Sequence, residues 1–145
     1  MRAKLLAGVV CAAVALAAAA PASAHHSFAA EFDINRPIVV TGVVTRMRFS
    51  NPHAWLFVDV TTESGELQHW EFEGGAPNAL IRRGWSRDSV PTGVMVTVEG
   101  FQARDGSHRA SGRTIALPDG SQLFVGSTGA GAPAAAGAEE VYDEE

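Results

Sequence analysis

SNPHAWLFVDVTTESGELQHWEFEGG, residues 50–75, decides the fold. The runs from His53 to Thr62 and from Glu66 to Glu73 are rich in Val, Phe, Trp and Thr, the side chains that suit a pleated surface. Glu63-Ser64-Gly65 between them is turn chemistry, so the two runs read as a hairpin. A three-residue loop sets Thr62 opposite Glu66 and fixes every later pair. Leu56, Val58 and Val60 then share a face with Gln68, Trp70 and Phe72, a sensible core. Trp55, Phe57 and Asp59 lie on the other face with Glu73, Glu71 and His69. Slipping the register by one residue would set His69 against Val60 and Trp70 against Asp59. That would carry a histidine and carboxylates into the apolar set without partners, so the first register is preferred.

Outward from the hairpin the β signals continue. Val39, Val43, Met47 and Phe49 alternate with more polar residues and predict a first strand over 38–49, ended by Ser50-Asn51-Pro52. After the hairpin, Gly74-Gly75-Ala76-Pro77-Asn78 breaks the pattern, and Pro77 suits the first turn of a short helix through Arg83, stopped by Gly84. A fourth strand is expected over 94–101, a fifth near 108–117 after the Asp105-Gly106 turn, and a last one from Gln122 to Val125 after Asp119-Gly120. Three strands, a helix and then further strands is the order of a small OB-like, five- to six-stranded, partly open barrel, mainly β. A β-sandwich edge or an unrelated meander is the alternative; the single short helix between strands three and four favours the barrel.

The ends of the chain have a different character. Arg2 and Lys4, an apolar or small run from Leu5 to Ala20, and Pro21-Ala22-Ser23-Ala24 have the three parts of a secretory signal peptide, residues 1–24, cut after Ala24. The apolar run is too short and too rich in Ala to hold as a membrane anchor, so no integral span is expected after cleavage. Residues 25–36 form a His-containing N-terminal segment, 37–125 the barrel, and 126–145 a Gly/Ala/Pro-rich tail with an acidic end, expected to be disordered. A periplasmic or secreted location follows.

Cleavage changes the composition. Of 145 residues with 11 basic and 16 acidic side chains, the predicted mature part keeps nine Arg, no Lys, no Cys and all 16 carboxylates, a net charge of −7. That balance opposes binding to nucleic acid, which rewards phosphate neutralisation. Without Cys there is no disulfide, zinc ribbon or cysteine nucleophile in it.

His25, His26, His53, His69 and His108 are therefore the nitrogen donors available to a metal. Cleavage after Ala24 would give His25 a free α-amine. Amine and imidazole of one residue chelate an ion, and a second imidazole, from His53 or His69, completes a T-shaped three-nitrogen site of the kind that suits Cu(II). The twelve residues of 25–36 reach about 40 Å when extended, so closure onto the barrel is permitted. His26 is a further ligand candidate, whereas His108 reads as a solvated turn residue. A stray-metal terminus is the plain alternative.

The outer hairpin face (Trp55, Phe57, Asp59, Glu71, with His69 opposite Asp59) is a candidate ligand platform, its rings stacking a partner while its carboxylates select a cation or a hydroxylated one. The plain alternative is a solvated face, or one covered by the N-terminal segment through Phe28 and Phe32. Enzyme templates are missing: no Gly-x-Ser-x-Gly, no Gly-rich phosphate loop and no His-Glu-x-x-His. Three functional readings result. The leading one is a periplasmic binding module that chelates Cu(II). The others are a mononuclear copper oxidase or oxygenase using the same chelate, and a metal-free module that docks an envelope protein or small ligand through Trp55 and Phe57.

HHSFAAEFD (25–33), SNPHAWLFVDV (50–60), WEFEG (70–74), Asn78-Ala79-Leu80 with Arg82-x-Gly84-Trp85, and VTVEGFQARDGS (96–107) together resemble a family of small exported bacterial proteins known only as a domain of unknown function. The resemblance runs from about His25 to Val125 and leaves out the acidic tail. It implies a periplasmic single domain and agrees with the barrel, and it brings neither an activity nor site residues.

Overall fold

The computed structural model describes residues 28–126. The predicted leader, His25, His26 and the tail beyond Gly126 lie outside the described residues. The order is α1 (Phe28–Glu31), β1 (Phe32–Phe49), β2 (Ala54–Thr61), β3 (Leu67–Glu73), α2 (Pro77–Arg82), β4 (Met95–Ala103), β5 (Arg109–Ala116) and β6 (Gln122–Phe124). β1 pairs antiparallel with both β2 and β4, β2 with β3, and β4 with β5. A short parallel seam, Glu71–Glu73 of β3 along Arg109–Ser111 of β5, closes five strands into a ring, and β6 hangs on β5 as a hairpin. This is the mainly β, OB-like barrel expected from the sequence, with its helix between β3 and β4.

The β2–β3 hairpin has the expected register. Leu56 faces Phe72, Val58 faces Trp70 and Asp59 faces His69, and the Thr62 amide donates to the Glu66 carbonyl at 2.9 Å. Leu56, Val58, Trp70 and Phe72 are buried, and Val60 packs against the same core. Full burial of a side chain such as Leu56 stabilises the fold by about 1.5–3 kcal/mol.

β1 departs from the expected pattern in two ways. It begins at Phe32, not near residue 38, because Phe32 is buried and pairs with Ala103 of β4. It also changes parity. Val40, Gly42 and Val44 point inward, whereas Val39 is exposed, so Val39 and Val43 do not share the core side with Met47 and Phe49 as alternation suggests. The cause is a β-bulge. Val44 pairs with Val58 and Arg46 with Phe57, which leaves Thr45 as the extra residue. Before the bulge, Gly42 brings β1 close to β2. A Cβ there would collide with the Asp59 carbonyl oxygen and lie 2.8 Å from a Val58 methyl.

α2 starts at Pro77, whose ring pre-sets the first turn. It ends in a Schellman arrangement: Gly84 at φ 87° donates to the Ile81 carbonyl, and the Trp85 amide donates to Leu80 at 3.1 Å. Leu80 and Trp85 are thereby buried in the common core, and the Trp85 indole N–H donates to the Phe124 carbonyl at 3.2 Å. No helix among the described residues is long and apolar enough to cross a membrane.

Candidate functional site on the outer face of strands β1, β2, β3 and β5

Pairing across four strands sets the outer face in rows. One row is Arg46, Phe57, Glu71 and Arg109; the next is Arg48, Trp55, Glu73 and Ser111; a third holds Val43, Asp59 and His69. The hairpin residues of these rows are those the sequence pointed to. The arginines are not, and they change the character of the face. The Arg46 guanidinium carbon lies 4.0 Å from the centre of the Phe57 ring and that of Arg48 5.7 Å from it, while Arg109 sits 4.7 Å over Trp55. Each is a cation–π contact. An acidic aromatic face, as read from β2 and β3 alone, is in fact a mixed one. Its signal was in the sequence: inward Val40 and Val44 have even numbers, inward Met47 and Phe49 odd ones, and such a switch implies an extra residue between them.

The rings are covered by arginines and not by the N-terminal phenylalanines. Phe28 packs 5.7 Å from Phe32 and edge-on to Phe101 at 5.8 Å. α1 nevertheless reaches this face. Glu31 Oε1 is 2.7 Å from Arg109 Nη1, the same guanidinium that covers Trp55. Arg104 ties the helix down a second time by donating to the Ala29 carbonyl at 2.8 Å.

The two predicted metal-ligand histidines inside the fold have different surroundings. His69 Nδ1 lies 2.7 Å from Asp59 Oδ1, with the imidazole 73% exposed. The carboxylate accepts the Nδ1 proton, so in the neutral form of the ring the lone pair lies on Nε2. His53, in the loop before β2, is mostly buried; its Nδ1 is 3.2 Å from the Gly74 carbonyl oxygen, to which it donates, and 3.4 Å from Glu73 Oε1. Six residues of strand separate His53 from Asp59, about 20 Å, so His53 and His69 cannot bind one ion together. No group of three His, Cys, Asp or Glu that could hold a metal exists among the described residues. His108 is exposed, as expected for a turn residue, with its ring stacked on Trp70 at 5.0 Å.

Residues 12–112 match a family of unknown function, DUF6152. The chain belongs to that family. The matched stretch contains α1, β1 to β4 and the start of β5, and so every residue of the three rows, whereas β6 and the acidic tail fall outside it. No curated protein and no solved structure matches the chain.

The two Asp-Gly-Ser turns are structural. Asp105 accepts from the Ser107 hydroxyl at 2.7 Å and amide at 2.9 Å, and Asp119 accepts from the Ser121 hydroxyl at 2.6 Å and amide at 2.9 Å. The serine hydroxyl first, and the amide next, hold each carboxyl below the ordinary aspartate range.

Proposed function

We propose that the protein is an exported binding module that takes up Cu(II) through the amine and imidazole of His25, with His69 as the third nitrogen ligand. The observation that carries this reading is the His69–Asp59 pair. An exposed imidazole whose Nδ1 proton is held by a carboxylate at 2.7 Å has its tautomer and ring orientation fixed and presents Nε2 to a ligand, the usual arrangement behind a metal-binding histidine. The N-terminal segment also returns to this face: α1 begins three residues after His25, and Glu31 at its end is paired with Arg109. His53 suits the role less well because it is mostly buried, with Nδ1 turned to the Gly74 carbonyl.

The test is Cu(II) titration of protein whose first residue is His25, beside a form extended by one residue and the variants H69Q and H53Q. The reading predicts one tight equivalent with nitrogen-rich electron paramagnetic resonance, lost on extension, weakened in H69Q and kept in H53Q. Affinity unchanged by the extension would refute it. A second reading, a metal-free docking module, is favoured by one observation: Arg46 and Arg48 are exposed, rest on Phe57 and lack a carboxylate partner among the described residues.

A further inference from the structure

We infer that the acidic C-terminal segment of this chain, residues 139–145 (EEVYDEE), docks on the ridge formed by Arg46, Phe57 and Arg48. The ridge has the chemistry of a carboxylate receptor. Two guanidinium groups lie against one ring, at 4.0 and 5.7 Å from its centre. Stacking on the ring restrains each planar group and leaves its edge N–H donors for an anion, so less side-chain entropy is lost on binding. Neither arginine is paired with a carboxylate among the described residues.

Charge and length both point to the chain's own end as occupant. The segment brings five carboxylates together with Val141 and Tyr142, apolar surface that suits the flank of Phe57 and Trp55. The described chain ends three strand spacings from the ridge, with the Gly126 carbonyl accepting from Arg83 at 3.0 Å. The Gly75 amide donates to the Val125 carbonyl, the Ala54 amide donates to Gly75, and Ala54 pairs with Phe49, the neighbour of Arg48. Those three steps of strand spacing amount to about 15 Å. A flexible Gly/Ala-rich chain of twelve residues, the number from Ser127 to Ala138, would have a mean end-to-end distance of about 20 Å. A tether whose length matches the span gives its end a local concentration in the millimolar range, enough to make weak ion pairs count. Arg82 and Arg87 are also exposed and without a carboxylate partner among the described residues, but no aromatic ring holds them as a pair. Docked there, the tail competes with any other acidic ligand of the face and makes the ridge self-occupied at low salt.

A nitroxide attached through the substitution V141C tests this in the full chain, with Cys11 replaced by Ala so that the label has a single site. The amide signals of Arg46, Phe57 and Arg48 are expected to be broadened by the label, and the broadening to vanish at about 1 M salt, where charges are screened within about 3 Å. It should also vanish in R46Q/R48Q. It should vanish too in a chain with E139Q, E140Q, D143N, E144Q and E145Q, which leaves the barrel sequence untouched. Broadening centred on Arg82 and Arg87, broadening that survives neutralisation of the tail, or none at all overturns the proposal.

Discussion

The β2–β3 hairpin and strand β1 contribute to one face by different means. In the hairpin an unbroken alternation places Leu56, Val58, Trp70 and Phe72 inside and Trp55, Phe57, Asp59 and His69 outside, with a single register from Trp55 to Thr61. β1 interrupts its alternation at Thr45, and the interruption turns Arg46 and Arg48 outward beside the hairpin's rings. The hairpin supplies regular packing, and the bulge supplies charge where packing alone would have placed it inside. A barrel strand that serves two neighbours, as β1 serves β2 and β4, has to bend, and a bulge does so while re-aiming side chains.

The difference can be broken at several levels. The largest effect is expected in the hairpin core. Phe72→Ala removes a fully buried ring and should cost about 3–5 kcal/mol in chemical denaturation. A loss below about 1 kcal/mol would mean that the hairpin does not carry the core. Next comes the parity of β1, tested by two neighbouring isosteric changes. Val40→Thr buries a hydroxyl and should cost about 1–3 kcal/mol, whereas Val39→Thr, at a position 69% exposed, should stay within about 0.5 kcal/mol. The reverse order would restore plain alternation.

On the outer face, Asp59→Asn should change stability by less than about 1 kcal/mol, since the pair with His69 is largely exposed. The same change should lower Cu(II) affinity about 10–100-fold if the carboxylate orients the ligand, a split that a purely structural pair would not give. The smallest effect concerns the turns. Asp105 and Asp119 should titrate below the ordinary aspartate range by NMR, and Ser107→Ala should raise the Asp105 midpoint. A depressed folded value means that each turn's contribution is present above the unfolded pKa and fades as pH falls through the folded one.

The same contrast explains what could be read from residues alone. The hairpin register was legible because only one alignment keeps His69 and Asp59 out of the core, and the α2 boundaries because Pro77 and Gly84 each have one local meaning. In β1, the doublets Val39-Val40 and Val43-Val44 offered an apolar residue to both faces, so composition could not fix which side was in. Of the candidate site, Trp55, Phe57, Asp59, Glu71 and His69 were found, because one hairpin holds them. The arginines were missed because they come from strands far apart in sequence, through a bulge and the β3–β5 seam. His25 and His26 lie outside the described residues.

Proton contacts around Phe57, observed by NMR, test the bulge-built face most directly. Overhauser effects are expected from the Arg46 and Arg48 side chains to the Phe57 ring, with their methylene signals moved upfield by it. Contacts of Met47 with Trp55 together with Arg46 beside Leu56 would mean an uninterrupted strand, and would contradict the bulge.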